Sequence, residues 1–314
     1  MHKKTNKRII FLKEYTESSL KLDLSVFFKK KRVYEREEGI ILKKVSFLVF
    51  AMVASLLLVM TGCGKDKEVS TTGKEEESNG KTLRIVTDAN YAPFEYLEGD
   101  KIVGFDVDFI NAVAKEAGYE VKLESVGWDP IFVEIEGKRA DVAISAITVN
   151  DERKQSYDFS VPYFLSTNKI LVPEDSDIKS GDELKGNVIA VQTGTTGQEA
   201  VEKLLGKNHK DIKKFENNNL AIQELLKGGA AAVVADNTVV EEYVKNNPDQ
   251  KLKVVEDSKS FNEEFYGLMF PKGSELKSEF DKAVNAIYEN GKYAEIYKEW
   301  FGTDPDIETL KAQQ

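Results

Sequence analysis

The sequence predicts an α/β protein of two similar lobes that enclose a cleft. Short apolar runs alternate with segments whose apolar residues recur at helical spacing, a pattern typical of parallel sheets covered by helices on both faces. The alternation runs over residues 83–144 and restarts at residue 188. Because ligands of such sheets sit at the carboxyl ends of the strands, we expect the binding site between the lobes.

The first half contains three predicted strands and two predicted helices. Apolar side chains recur every three to four residues after Phe105, and Gly118 ends that helix. A short β-type run ends at Asp88, which places a carboxylate at a strand end. The predicted strands are 83–87, 121–123 and 141–144; the predicted helices are 105–117 and a segment that begins over 131–135.

The second half repeats this arrangement. Residues 137–144 and 228–234 each follow a helix and enter a strand, which ends at Ser145 in the first half and at Asp236 in the second. This echo indicates two lobes of similar construction. The predicted strands are 188–191, 212–215 and 231–235, and the predicted helices are 198–205 and 220–227.

Cys63, the only cysteine, follows an uncharged apolar run over 45–60 that Lys43 and Lys44 precede. A charged start, an apolar centre and small residues at the cut are typical of a secretory signal peptide. The run is shorter than the about 20 residues that span a bilayer. Residues 60–63 also resemble the lipobox of bacterial lipoproteins, in which the cysteine becomes the lipidated first residue. The alternative is an ordinary signal peptide beside an unmodified cysteine.

The leader divides the amino-terminal part into three predicted segments. Residues 42–62 are the lipoprotein signal peptide, and 63–80 are the lipidated start and a flexible polar linker. Residues 1–41 do not fit a signal peptide, and we interpret them as an annotation artefact, with translation beginning near Leu42. A genuine cytoplasmic extension is the alternative.

Charge and cysteine content exclude several classes of protein. The chain has 44 basic and 54 acidic side chains, of which residues 1–62 hold 13 and 6; the remaining 31 and 48 give a net charge of −17. This balance argues against a nucleic-acid partner, whose phosphates require a basic surface. With Cys63 lipidated, no cysteine remains for a disulfide, so the lobes must be stabilised by their cores.

Several motifs, in order, resemble the polar amino-acid-binding proteins of ABC importers, which are solute-binding proteins of family 3 with the periplasmic-binding-protein type II fold. The similarity covers residues 82–304. The motifs are TDANYAPFE (87–95), VGFDVD (103–108), ITVNDERK (147–154), DFSVPY (158–163), VQTGTTG (191–197), VVADN (233–237) and NGKYAEIYKEWFG (290–302).

The resemblance implies two mixed, mostly parallel sheets and a chain that crosses twice between the lobes. The crossings would lie near 169–173 and 265–269. The first lobe would then comprise 81–169 and 268–314, and the second lobe 170–267.

The matching positions suit a free α-amino acid. Arg153 offers a planar pair of donors for an α-carboxylate, and backbone N–H groups around Thr148 and Thr196, near helix starts, would add donors. Asp236, from the other lobe, would accept from the α-ammonium and so link binding to lobe closure. Without the motifs, Arg153 would read as a solvated charge in a polar turn and Asp236 as a helix N-cap.

The ligand's side chain would lie between Tyr91 and Trp128, with Phe94 supporting Tyr91. Asp88, aided by Ser145 and Thr148, could meet a distal cation, because a buried carboxylate without a partner is costly. The predicted ligand-binding residues are Asp88, Tyr91, Phe94, Trp128, Ser145, Ala146, Thr148, Arg153, Gln192, Thr195, Thr196 and Asp236.

A basic ligand (arginine, lysine, ornithine or histidine) is favoured by Asp88 and by the aromatic faces. Some relatives that take glutamine or acidic ligands have a lysine at the position of Gln192. Glutamine, cystine or another polar amino acid stays the alternative, since an acid at the position of Asp88 also occurs with other ligands.

Enzyme readings have little support. His2 falls in the leader and His209 in a lysine-rich turn, no metal-ligand spacing is present, and residues 193–197 lack the lysine of a phosphate-binding Walker loop. A dehydratase-like enzyme and a receptor's sensor module are the alternatives of other classes. We expect a monomer without cofactor or metal. Its lipid would hold it on the outer face of a Gram-positive cell membrane. There it would deliver its ligand to a permease with separate ATPase subunits.

Overall fold

Strands and helices alternate along residues 81–314, the part of the chain that the computed structural model describes. The predicted signal peptide, Cys63 and the linker lie outside the described residues. The strands are β1 (Thr82–Thr87), β2 (Asn90–Tyr91), β3 (Glu95–Glu98), β4 (Lys101–Val103), β5 (Glu120–Ser125), β6 (Val142–Ala143), β7 (Tyr157–Phe159), β8 (Phe164–Pro173), β9 (Ile189–Gln192), β10 (Ile212–Phe215), β11 (Ala232–Asp236), β12 (Leu252–Val255), β13 (Glu263–Tyr266) and β14 (Met269–Pro271). The helices are α1 (Phe105–Glu116), α2 (Trp128–Glu136), α3 (Arg153–Ser156), α4 (Thr196–Leu205), α5 (Asn218–Leu226), α6 (Asn237–Asn246), α7 (Leu276–Glu289), α8 (Lys292–Phe301) and α9 (Ile307–Lys311), with 3₁₀ turns at Gly181–Leu184 and Pro248–Gln250.

The first lobe is built on a five-stranded sheet of order β5–β1–β6–β14–β7. Strand β1 is parallel to β5 and β6, while β14 is antiparallel to β6 and β7. Side chains of β1 alternate between two cores: Leu83 and Ile85 pack beneath α1, and Val86 packs with Ile131 and Ile135 of α2. This is the period-two alternation expected of a strand buried on both faces.

The second lobe has a sheet of order β10–β9–β11–β8–β12. Strand β9 is parallel to β10 and β11, and β8 is antiparallel to β11 and β12. Alternate residues of β11 again pack into separate cores, with Val234 on one face of the sheet and Val233 on the other. Both sheets are therefore mixed and covered on both faces.

Two antiparallel strands carry the chain between the lobes. The first half of β8 pairs with β13, with Phe164 opposite Tyr266 and Thr167 opposite Glu263. Residues 168–173, in the second half of β8, pair within the second sheet. On its other side β13 contacts the segment 147–149, where the Val149 N–H donates to Phe265 O at 2.8 Å. The second lobe is thus joined to the first through one continuous hydrogen-bonded strip.

The strands predicted from the α/β rhythm are all present, and they are the parallel ones. The antiparallel strands β7, β8, β12, β13 and β14 were not predicted individually; they come from the connecting segments. Three predicted helices, α2, α4 and α5, begin two or three residues earlier in the structure, and in α2 and α4 those added residues include the site residues Trp128 and Thr196.

A three-stranded hairpin unit, β2–β3–β4, places Tyr91 at the cleft. Its position depends on Gly104, because a Cβ there would lie 2.0 Å from Phe94 O, and the φ of 140° is open mainly to glycine. This close approach lets Asp106 N donate to Phe94 O at 2.9 Å, so that α1 begins directly against the turn that follows Tyr91. Within residues 81–314, no helix has the length and apolar character needed to cross a membrane.

Candidate functional site

A small enclosed cavity lies between the two lobes. Its free volume is about 20 Å³, room for about one water molecule, so an amino acid could enter only if the lobes or the side chains moved. Six lining residues come from the first lobe and four from the second. The lining comprises Tyr91, Trp128, Ser145, Ala146, Thr148, Arg153, Gln192, Thr195, Thr196 and Asp236.

The structure thus gathers ten of the twelve predicted ligand-binding residues around one cavity. The other two, Asp88 and Phe94, lie behind its wall. Phe94 is fully buried and packs beneath Tyr91, with ring centroids 6.1 Å apart, and it contacts Phe105, Phe164, Tyr266 and Phe301. Phe94 is therefore placed to support Tyr91, and it is not part of the cavity lining.

Asp236 ends β11 and is held by two tyrosines. Tyr91 O–H donates to Asp236 Oδ2 at 2.7 Å, and Tyr266 O–H donates to the same oxygen at 2.5 Å. Asp236 occupies the N-cap position of α6, but its side chain makes no capping bond. Burial raises the pKa of Asp236, while the tyrosine bonds and the positive charge of Arg153 oppose that rise. Its carboxylate faces the cavity instead of the helix.

Arg153 begins the short helix α3 and is 8% exposed. Its guanidinium donates to Thr148 O at 2.8 Å and, across the cleft, to Gly194 O at 3.2 Å. The same group lies 5.5 Å from the Trp128 ring centroid and 5.4 Å from that of Phe132. Burial lowers the pKa of Arg153, and several carboxylates, Glu199 first, oppose that change. The predicted alternative of a solvated charge is therefore wrong, since this arginine is buried.

Thr148 and Thr196 face each other from different lobes. Thr148 forms an isolated β-bridge with Tyr266, so its predicted position near a helix start is wrong, whereas that of Thr196 is right. Thr196 is the first residue of α4, after the N-cap Thr195, whose hydroxyl accepts from Gln198 N at 3.3 Å. The hydroxyls of Thr148 and Thr196 both donate to Glu264 Oε2, at 2.8 and 2.7 Å. Helix-start N–H groups beside a buried cation are a favourable place for an anion. The Thr148 hydroxyl therefore belongs to this end of the cavity, and not to the surroundings of Asp88.

Asp88 lies behind the cavity wall, next to Ser145, and is 4% exposed. Its backbone N–H donates to Ser145 Oγ at 3.2 Å, and its carboxylate accepts from Asn90 Nδ2 at 3.3 Å. Burial raises its pKa, and the negative charges of Glu216 and Asp129 add to the rise. The nearby Gln192 amide acts in the opposite direction, although its atoms do not reach full hydrogen-bond geometry. A cation beside Asp88 would meet a cluster of acids.

Three carboxyls outside the predicted ligand-binding set, Glu264, Glu95 and Asp106, contact residues that line the cavity. Glu264 lies on β13. Glu95, fully buried, accepts from Ser145 Oγ, while its neighbour Asp106 accepts from Ala146 N at 2.8 Å and from Tyr163 O–H at 3.0 Å.

Burial raises the pKa of Glu95 well above its usual value and that of Asp106 to about 6. Both carboxyls are therefore protonated at higher pH than exposed carboxyls are. The motifs 87–95 and 103–108, which carry Glu95 and Asp106, are the sequence signal for this pair.

Tyr266 is also absent from the predicted site, although it holds Asp236. Its position in the sequence is the signal that could have indicated it. Tyr266 lies within the predicted second crossing, two residues from Glu264, and alternate residues of a strand face the same side. Within residues 81–314, no group of His, Cys, Asp and Glu side chains is arranged to hold a metal ion.

Comparison with known proteins agrees with this architecture. Residues 83–303 match the family of bacterial extracellular solute-binding proteins, family 3, and this chain belongs to that family. A Neisseria gonorrhoeae protein named "Probable histidine-binding protein" is 37% identical over 260 residues, 82% of this chain and 96% of that protein. The Bacillus subtilis arginine-binding extracellular protein ArtP is 33% identical over 257 residues, 81% of this chain and 97% of ArtP.

A solved structure is similar to this chain in both sequence and fold. The arginine-, lysine-, histidine-binding protein ArtJ of Geobacillus stearothermophilus is 55% identical, with a TM-score of 0.72 over 74% of this chain and all of that chain. The predicted periplasmic-binding-protein type II fold and the predicted family are confirmed. This chain is therefore an extracellular solute-binding protein, and these relatives are binding proteins by name.

Proposed function

We propose that this chain captures a free amino acid between its lobes and delivers it to an amino-acid ABC importer. One observation carries the proposal: Arg153 of the first lobe and Asp236 of the second, buried and of opposite charge, line the same cavity. A zwitterion would place its α-carboxylate against Arg153, the backbone N–H near Thr148 and the helix-start N–H groups at Thr196. Its α-ammonium would meet Asp236.

The ligand that this site favours is a basic amino acid. Asp88 lies behind the cavity wall next to Ser145, and Asp129 and Glu216 add negative charge there. A distal ammonium or guanidinium would offset these charges, which are costly when buried. The names of ArtP and ArtJ support the same choice. Glutamine, cystine or another polar amino acid is the alternative.

Closure couples capture to delivery. The Tyr91–Asp236 and Arg153–Gly194 bonds cross the cleft and exist only with the lobes together. The closed form would dock one lobe on each half of a permease whose separate subunits hydrolyse ATP. Lipidation of Cys63 would keep a monomer on the outer face of a Gram-positive membrane.

An enzymatic role is less well supported. His209 lies in the turn before β10, beside Asp211, and is not part of the cavity lining. A dehydratase-like reaction would need a general acid or base at the cavity, and Asp88 and Glu95 are the candidates. Incubating the protein with the ligand that it binds and recovering the ligand unchanged would support binding without turnover.

The test is titration calorimetry of the ligand-stripped protein with the twenty amino acids, ornithine and cystine. One-to-one binding of arginine, lysine, ornithine or histidine supports the full proposal. Tight binding of glutamine or cystine would keep the transport role and overturn the basic specificity. No binding across the panel would overturn the amino-acid proposal.

A further inference from the structure

Glu264 joins three parts of the molecule through one carboxylate. It lies on β13, the second strand to cross between the lobes. Its Oε2 accepts from Thr148 of the first lobe and from Thr196 of the second, at 2.8 and 2.7 Å. Its Oε1 accepts from Asn168 of β8 at 2.7 Å. Both threonine hydroxyls can reach one oxygen only when the lobes are together.

The crossing strand supports both polar ends of the proposed site. Glu264 and Tyr266, two residues apart on β13, face the same side. Tyr266 holds Asp236, which would bind the α-ammonium. Glu264 holds the two threonines whose backbone would bind the α-carboxylate. Glu264 therefore lies directly behind an anion-binding position without lining the cavity that would take the anion.

Charged and titratable groups on β11, α4, α3, β8 and the hairpin surround Glu264. Asp236 of β11 and Glu199 of α4 place like charges near it, and Arg153 of α3 places an opposite charge. Lys203 of α4 lines the outer groove beside it, with Glu263. On β8, Lys169 forms ion pairs with Glu241 and Glu256. In the hairpin, burial raises the pKa of Tyr91, so its phenol stays neutral.

We propose that Glu264 is a positioning residue for the carboxylate end of the site, and that it takes up a proton when an amino acid binds and the lobes close. This inference rests on the proposed function. Glu264 and the incoming α-carboxylate would both draw on the positive charge of Arg153, with two threonines between them. A like charge disfavours ionisation of its neighbour, and a protonated Glu264 still accepts bonds from the threonines.

Burial and the neighbouring Asp236 already raise the pKa of Glu264 to about 7. Only a modest further rise is therefore needed for protonation at neutral pH. If the ligand raises this pKa by about one to two, uptake at pH 8 is roughly 0.4 to 0.8 proton per ligand. By the same linkage the affinity should be about five- to tenfold weaker at pH 8 than at pH 6.

The experiment is calorimetry of the full chain in mild detergent with L-arginine, or with whichever amino acid of the panel binds. Titrations at pH 8 in buffers of different ionisation enthalpy count the protons taken up. The wild type is compared with Glu264→Gln, Glu264→Ala and the control Glu263→Gln, which changes the exposed neighbour on the same strand.

We expect proton uptake in the wild type and in Glu263→Gln, and its loss in Glu264→Gln, whose affinity should no longer depend on pH between 6 and 8. Glu264→Ala should bind at least tenfold more weakly than Glu264→Gln, because only glutamine keeps an acceptor for the threonines. Binding by the wild type without uptake at pH 8 would overturn the inference, even if a variant fails to fold. Absence of any amino-acid binding would instead overturn the proposed function.

Discussion

The hydroxyl of Tyr91 donates a 2.7 Å hydrogen bond to Asp236 across the cleft, from the hairpin of the first lobe to the end of β11 in the second. Burial and the charge of Asp236 hold the pKa of Tyr91 well above its usual value, so the phenol stays a donor. Tyr266, on the strand that joins the lobes, donates to the same oxygen. Asp236 is thus held by the strand that joins the lobes and, across the cleft, by the first lobe.

Tyr91→Phe should weaken ligand binding by about 5- to 30-fold with little change in the melting temperature. The variant loses one hydrogen bond to a charged group, on the order of 1 to 2 kcal/mol, but keeps the ring and the Tyr266 bond. Calorimetry measures the affinity, and small-angle scattering measures the fraction of closed molecules. Tyr119→Phe, which loses a bond to Glu279 within the first lobe, is the control. Equal closure in both variants would contradict the closure role of Tyr91.

Arg153→Ala and Asp236→Ala should each reduce binding below detection while the protein stays folded. Truncating one partner of a buried charge pair costs about 2 to 5 kcal/mol. Lys154→Ala, an exposed change beside Arg153, controls for general effects on α3. Normal affinity in Arg153→Ala would show that the carboxylate end is elsewhere.

Asp88→Asn should separate ligands by their side chains. A large loss is expected for lysine or arginine, because the carboxylate that would face the distal cation becomes neutral; little change is expected for glutamine. The comparison uses calorimetry of the same variant with each ligand. Equal losses for basic and neutral ligands would mean that Asp88 shapes the site without selecting charge.

The stability of the protein should fall as the pH rises from 5 towards neutrality. Burial raises the pKa of Glu95 and Asp106, so the native state holds more protons than the unfolded state above pH 4.5. The unfolding free energy then decreases by about 1.4 kcal/mol per pH unit for each extra proton. In Glu95→Gln the amide replaces the protonated carboxyl. The slope of the unfolding free energy against pH, measured by urea titrations, should then correspond to about one extra proton fewer. An unchanged slope, equal to that of the exposed control Glu98→Gln, would show that Glu95 holds no extra proton in the native state.

Gly197→Ala should lower both the stability and the affinity. A Cβ at Gly197 would lie 2.8 Å from Val234 O and 3.0 Å from Asn168 Oδ1, so the first turn of α4 must move away from β11. Overpacking of this kind costs roughly 1 to 3 kcal/mol, and the displaced turn carries Thr196. Thermal unfolding and calorimetry measure the two effects, with Lys203→Ala on the same helix as the control. Unaltered affinity would mean that the helix start tolerates displacement.

Much of the site could be predicted because its residues follow predicted strands. Asp88, Ser145, Gln192 and Asp236 lie at or next to strand ends, and parallel strands bring such ends to one edge. The spacing of the apolar residues predicted these strand ends, and the resemblance to the family implied their role in binding. The spacing did not predict the antiparallel strands, whose partners lie far away along the chain, as Phe164 and Tyr266 do.

The sequence by itself determined the α/β class and the two lobes, because periodicity is local, and its motifs indicated the family and most of the residues around the cavity by their resemblance to known solute-binding proteins. Only the tertiary structure decided that Phe94 lies behind the wall, that Arg153 is buried against Trp128 and Phe132, and that Tyr266 holds Asp236. It also decided the role of Glu264, whose three hydrogen-bond partners come from 68 to 116 residues away. Such contacts depend on how the two crossing strands pair, and strand pairing over long separations leaves no periodic pattern along the chain.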